Sequence, residues 1–75
     1  MQTKFKRHQD VIIKNAPNPE YVEYHEGHDD APIQAGMKGK INLIMPTGEY
    51  HVEIFDKSGT LIAYALMHEE ELEEI

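Results

Sequence analysis

Residues 36–66 constrain this chain more than any other stretch. They hold three runs rich in β-formers: Ile41-Asn42-Leu43-Ile44-Met45, Tyr50-His51-Val52-Glu53-Ile54-Phe55 and Thr60-Leu61-Ile62-Ala63-Tyr64-Ala65-Leu66. Pro46-Thr47-Gly48 separates the first pair and Asp56-Lys57-Ser58-Gly59 the second. Proline presets an early turn position and glycine accepts a left-handed one, so both links read as tight turns. The second has the form of a type I turn closed by a glycine bulge. The spacing predicts a compact antiparallel meander. Alternation then assigns faces. In a strand over 38–45, Ile41, Leu43 and Met45 share one face and Ile44 takes the other. Gly36 and Gly39 flank its start, where positive φ or a bulge would let it bend. In the next strand Tyr50, Val52 and Ile54 oppose His51, Glu53 and Phe55. The strand over 60–66 is apolar on both faces, as suits the centre of a small closed sheet.

Asp10-Val11-Ile12-Ile13-Lys14 is a short β-branched run and reads as a first strand. Residues 15–35 follow, punctuated by Pro17, Pro19, Gly27 and Pro32. So long a structureless loop is unusual in a compact domain, and Tyr21-Val22-Glu23-Tyr24 within it reads as a brief irregular ribbon. A long first loop folded over the side of a barrel is a feature of SH3-like domains. Residues 68–74 favour one 3₁₀ or α turn, too short to stand alone as a helix. Leu72 is expected to plug the barrel end and Ile75 to reach the first strand. The expectation is an all-β fold: a small SH3-like barrel of about five antiparallel strands, with a long first loop and a short C-terminal helical turn. It forms a single domain over residues 1–75, residues 1–8 being a flexible lead-in. The expected core is Val11, Ile13, Ile41, Leu43, Val52, Ile54, Leu61, Ala63, Ala65 and Leu72.

The order of these motifs carries a resemblance. Asp10-Val11-x-Ile13, Ala35-Gly36-x-x-Gly39-Lys40-Ile41, Tyr50-x-Val52-Glu53-Ile54-Phe55-Asp56, the Gly59 turn, the alanine-bearing apolar strand and Glu71-Leu72-x-x-Ile75 follow one another. The chain resembles a family of small bacterial and phage SH3-like barrels of unknown function, the YorP-like proteins. The likeness spans residues 9–15 and 35–75 and leaves out the acidic loop. These motifs are turn glycines and core apolar residues, which specify a fold far better than a function. The resemblance implies a five-strand barrel and supplies no catalytic residue. Some relatives are encoded beside phage or toxin-like genes, which implies an interaction role and a phage or mobile-element origin.

Charge is the other strong signal. The net charge is −7 at neutral pH, and it is uneven. Lys4, Lys6, Arg7 and Lys14 face only Asp10 in residues 1–14. Glu20, Glu23, Glu26, Asp29 and Asp30 have no basic neighbour over 19–30, nor have Glu69, Glu70, Glu71, Glu73 and Glu74 at the end. Such an excess keeps a small domain soluble, repels nucleic-acid phosphates and attracts basic partners. Cysteine is absent, which excludes disulfides and thiolate metal sites and suits a reducing cytoplasm. No apolar run approaches the ~18 residues of a membrane span. The N-terminus is basic but lacks the apolar core of a signal peptide. The expected location is cytoplasmic, with no membrane association.

Five constellations bear on function. His25-Glu26-Gly27-His28-Asp29-Asp30 holds imidazoles and carboxylates, yet His-x-x-His alone is a weak metal signal; an exposed polar loop explains it, and no metal or cofactor is expected. Lys38 and Lys40 around Gly39 resemble the glycine turn of KOW-type barrels that contact RNA; a barrel bend explains the glycines equally well. Tyr21, Tyr24 and the acidic loop resemble the first loop of peptide-binding SH3 domains, although the usual tryptophan is missing. The spaced carboxylates of 69–74 can imitate duplex phosphates or simply solvate the chain end. His51 and Glu53 share a strand face as an acid–base pair would, and plain alternation predicts the same. Ser58 is the only serine and no phosphate-cradling loop is present, so an enzyme is not expected. The leading expectation is a non-enzymatic acidic module that binds a basic protein partner. Its surface comprises Tyr21, Glu23, Tyr24, Glu26, Asp29 and Asp30 with Glu69, Glu70, Glu71 and Glu73. The alternative is a nucleic-acid-binding barrel using the basic N-terminus with Lys38 and Lys40. Oligomeric state stays open.

Overall fold

The computed structural model describes residues 4–29 and 31–75. Its strands are β1 (Asp10–Ile13), β2 (Val22–Tyr24), β3 (Lys38–Ile44), β4 (Tyr50–Phe55), β5 (Leu61–Met67) and β6 (Leu72–Glu74). All pair antiparallel in one six-stranded open sheet, ordered β2-β5-β4-β3-β1-β6. The expected meander is β3-β4-β5, with its turns where proline and glycine mark them. The long first loop holds a 3₁₀ turn, Pro19–Tyr21, and then β2. Asn18 starts that turn, its side-chain oxygen accepting the Glu20 N–H at 3.0 Å.

The chain end adds a short strand to the expected turn. Its only helical element is a 3₁₀ turn, Glu69–Glu71, and the chain then extends as β6 beside β1, with Leu72 opposite Ile13. The pairing expected of Ile75 is made by the residues before it, and Ile75 itself is exposed. Both sheet edges, β2 and β6, are three residues long and carry glutamates. Short, charged edges discourage edge-to-edge aggregation.

One face of this sheet is buried. Val11, Ile13, Ile41, Tyr50, Val52, Ile54, Ala63, Ala65, Met67 and Leu72 meet in one buried cluster. Gly39 sits on this inner face without a positive φ. A Cβ there would lie 2.9 Å from Val52 Cγ1 and 3.3 Å from both the Glu53 carbonyl oxygen and Ile13 Cδ1. Glycine is needed at this site for close approach between strands.

Two irregularities correct the alternation. Ile41 pairs with Val52 but Leu43 with His51, so Asn42 is an extra residue in β3. That single insertion reverses the faces beyond it. Leu43 turns outward and is 42% exposed, while Ile44 packs against the core. In β5, Ile54 pairs with Ala63 and Phe55 with Leu61, leaving Ile62 as the extra residue. Ile62 is buried in place of Leu61, which is half-buried.

Residues 4–8 pack against the sheet, where composition suggests a flexible lead-in. Phe5 is completely buried and meets Tyr50 edge-on, ring centroids 5.5 Å apart. The His8 N–H donates to the Ile41 carbonyl, the Gln9 carbonyl accepts from Ile41, and Arg7 Nε donates to the Asn42 carbonyl at 3.1 Å. The segment thereby continues the β1 side of β3 beyond Asp10.

Candidate functional site

The outer sheet face is built in rows by the strand register. One row runs Leu43, His51, Leu66; the next runs Asp10, Lys40, Glu53, Tyr64, Glu23. Tyr64 stacks on His51 with ring centroids 5.4 Å apart, and the Asn42 side-chain amide lies 3.0 Å from His51 Nδ1. His51 is thus held between an amide and an aromatic ring, with Glu53 on the same face.

The 3₁₀ turn Pro19–Tyr21 delivers Tyr21 to the margin of this face, 53% exposed. Two clefts flank the ring. One, of about 360 Å³, is lined by Tyr21, Glu20, Glu23, Met45, His51, Tyr64 and Leu66 among others. The second, of about 350 Å³, is lined by Asn18, Tyr21, Leu66, His68, Glu70 and Glu71. Tyr21 and Leu66 belong to both. Residues from the first loop and from the C-terminal turn therefore share one surface: a half-exposed aromatic ring with carboxylates on either side.

The C-terminal glutamates reach it through their own turn. The backbone N–H of His68 donates to Glu71 Oε1 at 2.9 Å, and the Glu71 N–H returns a bond to the His68 carbonyl at 3.0 Å. Lys14 and Asn15 both donate to the Glu71 carbonyl, at 2.8 and 3.2 Å, which ties the turn to the end of β1. Glu69 and Glu70 remain exposed. Glu49 Oε2 lies 3.8 Å from His68 Nε2 at the same margin.

The remaining acidic residues lie elsewhere. Tyr24, 36% exposed, ends β2 opposite Ala63. Glu26 and Asp29 are exposed beyond it, in the turns that follow β2, where His28 lines a cleft with Asp56 and Lys57. Glu73 is exposed on β6 opposite Ile12. Asp30 lies outside the described residues. The loop expected to act as one acidic surface is therefore split along β2, and only its Glu20–Glu23 half lies beside the C-terminal turn.

Of the basic residues, Lys40 Nζ stands 3.8 Å from Asp10 Oδ1, while Lys38 is exposed opposite Phe55. The His25 and His28 rings lie 6.2 Å apart, and among the described residues no three metal-ligating side chains gather into a site. Sequence reasoning did not place Met45, His51, Tyr64, Leu66 and His68 on this surface. His51 stood out only for sharing a strand face with Glu53, Tyr64 and Leu66 belong to a run apolar on both faces, Met45 alternates with Ile41, and His68 only precedes the C-terminal turn. Comparison with known proteins finds no match, whether to a protein family, a curated protein or a solved structure. Among the described residues no helix is long and apolar enough to cross a membrane.

Proposed function

We propose that this chain is a non-enzymatic, acidic protein-interaction module that binds a basic protein segment across Tyr21. The observation that carries the reading is the pair of clefts sharing Tyr21 and Leu66, bordered by Glu20 and Glu23 on one side and Glu70 and Glu71 on the other. An amphipathic ring gives contact area at low entropic cost, and rim carboxylates steer and orient cationic side chains. We further infer that the sheet is a small SH3-like barrel, supported by the β3-β4-β5 meander and the return of β6 to β1. A cytoplasmic, phage- or mobile-element-encoded bacterial protein fits the acidic, cysteine-free composition and the family resemblance.

A second reading has one observation in its favour. Arg7 is fixed to the Asn42 carbonyl, two positions along β3 from Lys40, so the basic N-terminal segment and Lys40 lie on neighbouring backbone. A nucleic-acid-binding barrel would use these groups with Lys38. Against it stand Asp10 and Glu53, which flank Lys40 in its own row.

Amide shift mapping with an octaarginine peptide separates the readings. The proposal expects saturable shifts at Tyr21, Leu66, His68 and Glu70 that Tyr21→Ala with Glu70→Gln removes. Shifts spread evenly over all carboxylates would refute it. Shifts at Arg7, Lys38 and Lys40 on adding single-stranded DNA would favour the second reading.

A further inference from the structure

A larger cleft, of about 660 Å³, opens between residues 31–38 and the β4–β5 turn. That volume is typical of small-molecule sites, which span roughly 300–1,000 Å³. The walls come from separate segments. Gly36 and Met37 are held to β1 by one bond each, the Ile13 N–H donating to the Met37 carbonyl at 2.8 Å and the Gly36 N–H donating to the Ile13 carbonyl at 2.7 Å. Phe55 is the last residue of β4 and lies opposite Lys38. Ile62 is the extra residue of β5. These three give the cleft an apolar floor.

Lys38 and Lys57 line it as well, and Asp56 is the acidic residue among its described walls. The Asp56 carboxylate is already engaged: Oδ1 accepts from Ser58 N–H at 3.0 Å, Ser58 Oγ at 2.7 Å and Thr60 N–H at 2.9 Å. Among the described walls two lysines stand against one carboxylate, a locally cationic balance in a chain of net charge −7. An anion is repelled by most of the remaining surface and attracted here.

We propose that this cleft binds a small amphipathic anion, an aromatic or alicyclic body bearing one carboxylate or sulfonate. The body lies on Met37, Phe55 and Ile62, and the anionic group meets Lys38 and Lys57. This site is separate from the Tyr21 surface and stands or falls independently of it.

The test uses 1-anilinonaphthalene-8-sulfonate and its uncharged counterpart N-phenyl-1-naphthylamine, followed by fluorescence and amide shift mapping on the full chain. The expected result is saturable sulfonate binding with shifts at Met37, Lys38, Phe55 and Ile62. Lys38→Gln with Lys57→Gln should weaken the sulfonate about tenfold, in line with two partly exposed charge contacts, and leave the uncharged probe unchanged. Lys4→Gln with Lys6→Gln, outside the cleft's described walls, should change neither. Both lysines are exposed, and an unperturbed amide spectrum of the variant verifies its fold. Absent saturation, shifts centred elsewhere, or equal affinity in the double variant would each overturn the proposal.

Discussion

The hydroxyl of Tyr50 accepts the backbone N–H of Phe5 at 3.1 Å inside the core, and the two rings meet edge-on. Tyr50 is buried to 1% exposure, so its polar tip needs a partner, and the N-terminal segment supplies one. Docking of that segment completes the buried cluster, to which both rings belong. Phe5→Ala is expected to cost about 3–5 kcal/mol, as for a buried aromatic. Tyr50→Phe should cost about 1–2 kcal/mol through loss of the acceptor. Urea unfolding of both variants checks this, and a Phe5→Ala protein of wild-type stability would show the segment to be dispensable.

The bulge at Asn42 makes neighbouring residues of β3 unequal. Leu43→Ser should change stability by only about 0.5–1 kcal/mol, whereas Ile41→Ala should cost about 2–5 kcal/mol. Regular alternation would make the two comparable. Denaturant midpoints of the pair decide which register the strand holds. Val52→Asp, which buries a carboxylate in the cluster, should leave no folded protein.

Gly39→Ala should destabilise by about 1–3 kcal/mol, because the added methyl meets Val52 Cγ1 at 2.9 Å and backbone at 3.3 Å. Adding Val52→Ala to it should recover part of the loss by vacating the contact, measured as a double-mutant cycle.

The Asp56 carboxyl titrates below the ordinary carboxylate range. The Ser58 hydroxyl is the main cause, with the Thr60 and Ser58 N–H groups adding to it. A group depressed in the folded state contributes stability that is present above its unfolded value and lost as pH falls through its folded one. Asp56→Asn should therefore flatten the acid limb of the stability curve. Carboxyl NMR should place the Asp56 midpoint below the ordinary aspartate value, and a midpoint at or above that value would contradict the turn geometry.

Much of the fold was legible in the sequence because its signals are local. Alternation located β3, β4 and β5, and Pro46, Gly48, Asp56 and Gly59 marked the turns between them. What was not legible depends on single insertions and distant docking. Nothing around Asn42 or Ile62 announces an extra residue, since a bulge is fixed by its partner strand. Phe5 looked like part of a basic tail because its partner, Tyr50, lies 45 positions away. The candidate surface was half legible: Tyr21, Glu23, Glu70 and Glu71 stood out as aromatic or acidic. That they converge on one margin, while Glu26 and Asp29 do not, follows from the direction of β2 along β5. The apolar cleft gave no signal, its walls being scattered from His28 to Ile62.

The most direct test of the interaction account is capture from bacterial lysate, read by mass spectrometry at low and high salt. Wild type is compared with Tyr21→Ala/Glu70→Gln/Glu71→Gln and with Glu26→Gln/Asp29→Asn. The account predicts that one basic protein is retained by wild type and by the second variant, lost from the first, and released by salt. Equal capture by all three proteins, or capture of nucleic acid that strengthens as the glutamates are neutralised, would contradict it.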